Sequence, residues 1–232
     1  MKIGISSPRS LSLMKSLGSP AWISQFDGSE WPLEDLLALS LRQRLRIRKS
    51  LETSTHRLAI SIQIPWRRLD LEALRERVVI AGELCREFQA QALSTKISET
   101  LDHQEAPEFF DDVFREITHA IPNKVELWLD PGKLGRTRVL PRTRWIWDPF
   151  WHATTDGTRN GVWKAHGWHD SRWIRYYGAL QLQTLLKRVA RLRPEWIFFS
   201  HSMRDEEAAT FRSLVTESIR RARTARHSPD SP

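Results

Sequence analysis

The sequence is poor in cysteine and has no long apolar stretch. Cys85 is the single cysteine in 232 residues, which excludes an internal disulfide and a cysteine-based zinc cluster. No run approaches the roughly 18 apolar residues that a transmembrane helix requires, and Met1 to Ser19 lacks the continuous apolar stretch of a secretion signal. The common nucleotide-binding and serine-nucleophile motifs are also missing. These absences predict a cytoplasmic protein with no membrane partner.

The charge of the chain is strongly positive. Lys and Arg number 36 against 28 Asp and Glu, which gives a net charge of +8 and a pI of about 10.1. Such a balance favours a polyanionic partner, nucleic acid first, because cations neutralise phosphates. With 40% hydrophobic residues the chain can also bury a substantial core.

Apolar periodicity predicts a mixture of strands and helices. Alternating and β-branched runs predict strands at residues 58–64, 125–129, 138–147 and 196–199. Helical spacing predicts helices at residues 32–50, 70–92, 108–119 and 173–193, and a last helix that ends near Arg223. Without the first helix, the last helix and the acidic helix at 108–119, the order is βαββαβ. This order predicts an α+β protein of the ferredoxin-like class, a four-stranded antiparallel sheet with additional N-terminal and C-terminal helices.

We expect an N-terminal helical extension at residues 1–55, a single α+β domain at residues 56–225 and a frayed tail at residues 226–232. In the extension, Leu37, Leu41 and Leu45 recur at four-residue spacing. In the domain, Cys85 lies on the apolar face of the helix at 70–92, which predicts an inert core thiol. The acidic stretch 99–116 is typical of a solvated face, or of a surface that contacts a basic neighbour.

Residues 133–193 concentrate cations and hold six of the 11 tryptophans. Arg138, Arg142 and Arg144 share the parity of Arg136, so a regular strand would point them to one side, with Trp145 and Trp147 on the other. We therefore predict a nucleic-acid-binding surface made of Lys133, Arg136, Arg138, Arg142, Arg144, Arg159, Lys164, Arg172, Arg175, Lys187, Arg188 and Arg191. A secondary basic patch is predicted at Arg42, Arg44, Arg46, Arg48 and Lys49.

Interleaved cations and flat aromatic side chains indicate binding of RNA or single-stranded DNA, since the aromatics accept unstacked bases. The main hypothesis is a non-catalytic subunit of a nucleoprotein complex, with protein partners and no cofactor. Under this hypothesis the chain is a nucleic acid-binding protein and not an enzyme. The tryptophans also fit a small core with Arg stacked on it. An alternative is a basic interaction protein that docks an acidic protein partner.

Histidines suggest a second alternative, a metal-dependent nuclease or nicking enzyme. His152, His166 and His169 lie close in sequence with aspartates around them, and such groups can hold a divalent metal or act as acid and base. Tyr176 and Tyr177 follow. A histidine-bearing segment before a tyrosine-bearing helix resembles the rolling-circle replication initiators and relaxases, which implies a tyrosine nucleophile beside a bound metal. That family has a His-hydrophobic-His motif, whereas Gly167 and Trp168 separate the pair here.

Overall fold

The computed structural model describes residues 1–6, 27–64, 71–97, 115–130, 142–147, 161–166, 178–200 and 205–227. The strands are β1 (Lys2–Ser6), β2 (Gly28–Pro32), β3 (Arg57–Ile64), β4 (Ala92–Ile97), β5 (Glu126–Asp130), β6 (Thr143–Trp147), β7 (Val162–His166) and β8 (Trp196–Ser200). The helices are α1 (Leu33–Leu37), α2 (Leu41–Glu52), α3 (Leu71–Glu87), α4 (Gly178–Leu192) and α5 (Asp205–His227). Residues 115–120 are also helical. None of the described helices is both long enough and apolar enough to cross a bilayer.

The eight strands form one closed parallel barrel. Each strand pairs in parallel with the next along the chain, and β8 pairs with β1 to close the ring. Parallel neighbours need a crossover connection, which the described helices supply after β2, β3, β4 and β7, and α5 follows β8. This is the architecture of the TIM, or (β/α)8, barrel.

The larger core lies between the strands and the helices. Strand residues of one parity, such as Trp31, Leu58 and Leu127, point outward and pack with the apolar face of α3. Cys85 lies on that face at 1% exposure, and burial raises the pKa of its thiol to about 12, so the expectation of an inert core thiol agrees with the structure.

The interior of the barrel is filled by combining large and small side chains. Trp128, Trp196 and Phe198 contribute the bulk from β5 and β8, and β1 and β2 place Gly4 and Gly28 opposite them. A Cβ atom at Gly28 would lie 2.8 Å from the Trp196 ring, and one at Gly4 would fall against the ring of Phe198. The two glycines are therefore required by the close approach of these rings.

The predicted ferredoxin-like fold and the α+β class are wrong, because the sheet is parallel and closed. Four strands account for the error: the sequence pattern does not predict β1, β2, β4 and β7, and the remaining strands alone suggest a four-stranded sheet. Ala92 illustrates the cause. It continues the helical spacing of α3 in the sequence, yet it begins β4 in the structure.

Candidate functional site

The barrel interior can be described in layers of four side chains taken from alternate strands. The strand register places Gly4, Ala59, Trp128 and Val162 in one layer. One step toward the carboxyl ends of the strands, the next layer holds Glu30, Ser94, Ile146 and Phe198. The layer beyond that includes Ser61 and Lys164. Glu30, Ser61, Ser94 and Lys164 thus lie toward the carboxyl end of the barrel, where enzymes of this fold carry their active sites.

Glu30 and Lys164 form a buried ion pair across the interior. The Lys164 ammonium donates to Glu30 Oε2 at 2.7 Å, and the two side chains are only 8% (Lys164) and 4% (Glu30) exposed. Glu30 is on β2 and Lys164 on β7, so the pair spans the two strands that lie between them, β1 and β8. Two charges held together in so buried a place can exchange a proton with a bound molecule or stabilise charge that develops on it.

Aromatic rings border this pair: Phe198 shares the layer of Glu30 and lies one layer below Lys164, and Trp128 lies one layer below Phe198. The ring of Phe198 lies 5.4 Å from that of Trp128 and stacks on Trp196 at 5.2 Å, measured between centroids. Ser94 is buried in the layer of Glu30, while Ser61 is half-buried above it. We call Glu30, Ser61, Ser94 and Lys164, together with the ring of Phe198, the polar cup.

The amino-terminal end of the barrel holds a different charged cluster. The Arg144 guanidinium donates to Glu126 Oε1 at 2.8 Å and also to Glu195. The Trp128 indole donates to Glu126 Oε2 at 3.0 Å. Lys2 lies 4.0 Å from Glu195 and 4.9 Å from the centroid of the Trp196 ring. We call this set the basal cluster. Residues at this end of a TIM barrel serve stability.

The predicted nucleic-acid-binding residues do not share one surface where they are described. Arg144 belongs to the basal cluster and Lys164 to the polar cup. Arg142 is half-buried and donates to the carbonyl oxygens of Thr118 and Pro122, the latter at 3.2 Å. Lys187 and Arg191 are exposed on α4, and Arg188 is half-buried there. The rest of the predicted set lies outside the described residues: Lys133, Arg136, Arg138, Arg159, Arg172 and Arg175.

The secondary basic patch lies on α2. Arg44 contacts Glu87 at 3.1 Å and Arg48 contacts Glu52 at 2.8 Å. Arg42, Arg46 and Lys49 are exposed. Part of this positive charge is therefore balanced by carboxylates of α2 and α3.

Of the residues in the nuclease alternative, the structure describes only His166. It is the last residue of β7 and pairs with Ser200 of β8 in the register, which places it at the carboxyl end of the barrel. His152, His169, Tyr176 and Tyr177 lie outside the described residues.

No group of three or more metal-ligating side chains comes together within the part of the chain that the structure describes. A divalent ion at Glu30 would also have to lie beside the Lys164 ammonium, which is 2.7 Å from the same carboxylate. Like charges repel at that distance. The described residues of the polar cup therefore do not fit a divalent metal at this pair.

Comparison with known proteins identifies the fold independently. The chain is similar to a D-tagatose 3-epimerase-like protein, with 15% identity, a TM-score of 0.58, and 97% of this chain and 99% of that one covered. It is also similar to an L-ribulose 3-epimerase, with 12% identity, a TM-score of 0.59, and 100% of this chain and 99% of that one covered. A third similar structure is endonuclease IV from Thermus thermophilus, with 12% identity, a TM-score of 0.56, and 95% of this chain and 100% of that one covered. No family model and no curated protein sequence matches the chain.

These findings overturn the hypothesis of a non-catalytic nucleic-acid-binding subunit in a nucleoprotein complex. That hypothesis needed an open sheet with Arg136 to Arg144 on its exposed face. The sheet is closed, and the full-length structures of the same fold are described as a D-tagatose 3-epimerase-like protein, an L-ribulose 3-epimerase and endonuclease IV.

Sequence reasoning missed Glu30 and gave Lys164 a different role. Glu30 lies in β2 (Gly28–Pro32), which the sequence does not predict as a strand because glycine and proline are uncommon in strands. A signal was available: Glu30 is a single acid directly before Trp31 and Pro32, within a segment of otherwise uncharged residues, 28–33.

Proposed function

We propose that this chain is an enzyme that moves a proton at a carbon next to the carbonyl group of a small, uncharged, hydroxyl-bearing compound of the sugar class. The reaction takes place in the polar cup. The buried Glu30–Lys164 pair is the observation that carries this proposal.

The pair provides two of the groups that such a reaction needs. Removing a proton beside a carbonyl requires a base, and it leaves negative charge on the carbonyl oxygen. The Glu30 carboxylate can accept the proton, and the positive Lys164 side chain can stabilise the oxygen. Both effects are stronger in a buried site, because little water screens them there.

The polar cup also suits an uncharged polar substrate. One carboxylate and one ammonium balance each other, so the described side chains favour neither an anion nor a cation. Ser61 and Ser94 offer hydroxyl groups that donate and accept hydrogen bonds, and the ring of Phe198 provides an apolar wall. Two full-length structural neighbours described as sugar 3-epimerases agree with this substrate class.

Proton transfer can be tested without knowing the natural substrate. The protein is incubated in D2O with dihydroxyacetone, D-fructose or D-tagatose, and loss of the proton signal beside the carbonyl is followed by NMR. We expect exchange with at least one of these ketoses. Glu30→Gln should slow it by about 100-fold or more, because the amide cannot accept the proton.

Lys124→Arg is the matched control. Lys124 is exposed just before β5, at the opposite end of the barrel, and its replacement should leave the exchange rate unchanged. Circular dichroism and thermal melting establish that each variant is folded. Absence of exchange with all three ketoses, or equal rates in the parent and a folded Glu30→Gln variant, would contradict the proposed function.

A further inference from the structure

We infer that Lys164 acts covalently, by forming an imine with the carbonyl carbon of the substrate. This inference rests on the proposed function for its substrate class, and it adds a chemical step that proton transfer alone does not need.

The burial of Lys164 distinguishes it from other lysines of the chain. Its side chain is 8% exposed, whereas Lys49, Lys124 and Lys187 are exposed to solvent. An amine can attack a carbonyl only as the neutral base, and a buried site disfavours the ammonium form. The carboxylate of Glu30, 2.7 Å from Nζ, is placed to accept the proton that the ammonium must lose.

Every proton in the reaction can be assigned to this pair. The Lys164 ammonium transfers a proton to the Glu30 carboxylate, and the neutral amine adds to the carbonyl carbon. Transfer of a proton from nitrogen to oxygen gives a neutral carbinolamine. The Glu30 carboxylic acid then protonates the hydroxyl group, water leaves, and a protonated imine forms beside the regenerated carboxylate.

The same geometry favours the next step. The protonated imine carries its positive charge on the atom that was the ammonium nitrogen, so the carboxylate that stabilises Lys164 also stabilises the imine. The carbon that loses its proton is two bonds from this nitrogen, within reach of Glu30. The carboxylate can take that proton to give a neutral enamine, and return it.

Reductive trapping tests the imine on the parent protein, so that no variant needs to fold. The protein is incubated with dihydroxyacetone and sodium cyanoborohydride, which reduces protonated imines, and peptides are mapped by mass spectrometry. We expect a reduced adduct on Lys164 that accumulates at least about tenfold faster than on the exposed Lys49, Lys124 and Lys187, because only Lys164 of these four has a buried carboxylate at 2.7 Å that can take up and return its proton. Lys164→Arg should abolish the fast adduct, and Lys124→Arg should not change it.

The two proposals fail separately. Deuterium exchange without an adduct on Lys164, or an adduct no faster there than on the exposed lysines, overturns the imine and leaves proton transfer standing. A fast Lys164 adduct without deuterium exchange supports the imine and contradicts proton transfer. If there is neither deuterium exchange with any of the three ketoses nor a fast Lys164 adduct with dihydroxyacetone, both proposals are wrong.

Discussion

Glu30 and Lys164 carry two opposite charges inside the barrel, and each side chain helps to compensate the charge of the other. Glu30→Gln removes the carboxylate beside a buried ammonium, and Lys164→Met removes the ammonium beside a buried carboxylate. We expect each change to lower the free energy of unfolding by about 3–5 kcal/mol, as measured by urea denaturation.

The double variant Glu30→Gln/Lys164→Met should cost less than the sum of the two single changes, since it leaves no buried charge in the pair. Glu52→Gln provides the comparison. It breaks the exposed Arg48–Glu52 pair and should cost less than about 0.5 kcal/mol. Additive effects at Glu30 and Lys164 would show that the two side chains are not coupled.

Cys85 is a further residue whose burial can be tested by its reactivity. Burial raises the pKa of its thiol to about 12 from 9.0, partly opposed by Arg86. Its contribution to stability is therefore complete below about pH 9 and is lost as the pH rises toward 12, because the unfolded chain ionises first. At about pH 8 a thiol reagent should react with Cys85 in urea but not in the folded protein, where burial blocks the thiolate; reaction in the folded protein within minutes would contradict the burial.

At the level of single elements, the glycines of β1 and β2 determine how closely the interior packs. A Cβ at Gly28 would lie 2.6 Å from the carbonyl oxygen of Arg57, a backbone atom that cannot move cheaply. We expect Gly28→Ala to lower the melting temperature, with a cost of about 1–3 kcal/mol.

Gly82 provides the control. A Cβ at this position on α3 would have its nearest neighbour at 3.4 Å, so Gly82→Ala should stabilise the protein by about 0.5–1 kcal/mol. Equal effects of the two substitutions would mean that the interior is looser than the structure shows.

In helix α2 the residues with helical spacing are not the ones that are buried. Leu41 and Leu45 recur at four-residue spacing, yet their side chains are 71% and 53% exposed. Ile47 is the residue of this helix that packs into the core, with 6% of its surface exposed. Ile47→Ala should cost about 2–4 kcal/mol in urea unfolding. Leu45→Ala should stay within about 0.5 kcal/mol, and the reverse order would place the wrong face of α2 against the barrel.

The elements that the sequence predicted correctly are those with an undisturbed apolar pattern. Strands β3 and β5 are β-branched or aromatic, and α3 has a continuous apolar face. The missed strands have small or charged residues on the side that faces the barrel interior: Gly28 in β2, Ser94 in β4 and Lys164 in β7. A barrel interior accepts such residues because opposite strands supply the bulk, and one sequence does not reveal that compensation.

At the scale of the whole molecule, the polar cup and the basal cluster lie at opposite ends of the barrel, the former toward the carboxyl ends of the strands and the latter toward their amino ends. Arg144→Met should destabilise the protein by about 1–2 kcal/mol, since it leaves the Glu126 and Glu195 carboxylates without the guanidinium between them, and partial exposure limits the cost. Deuterium exchange of ketoses should remain within about twofold of the parent, since this end of the barrel serves stability. A large loss of exchange in a folded Arg144→Met variant would contradict the division between stability and chemistry.

Arg144 also shows why the site could be predicted only in part. The sequence correctly separated Arg144 from Trp145 by strand parity: Trp145 packs partly buried against the outer core, and Arg144 turns to the other side. In an open sheet that other side would be a surface for a ligand. In a closed barrel it is the interior, and closure depends on strands that are distant in sequence.

The pairing of β1 with β8 has a consequence for synthesis of the chain. Among the strands of the barrel β1 is synthesised before the others, and its partner β8 follows only after six more strands have been made. During that interval the growing sheet exposes unpaired backbone groups at both edges, which can join the edges of another unfinished chain. Conditions that prolong elongation should therefore reduce the recovered yield of this protein before they affect the stability of the completed barrel.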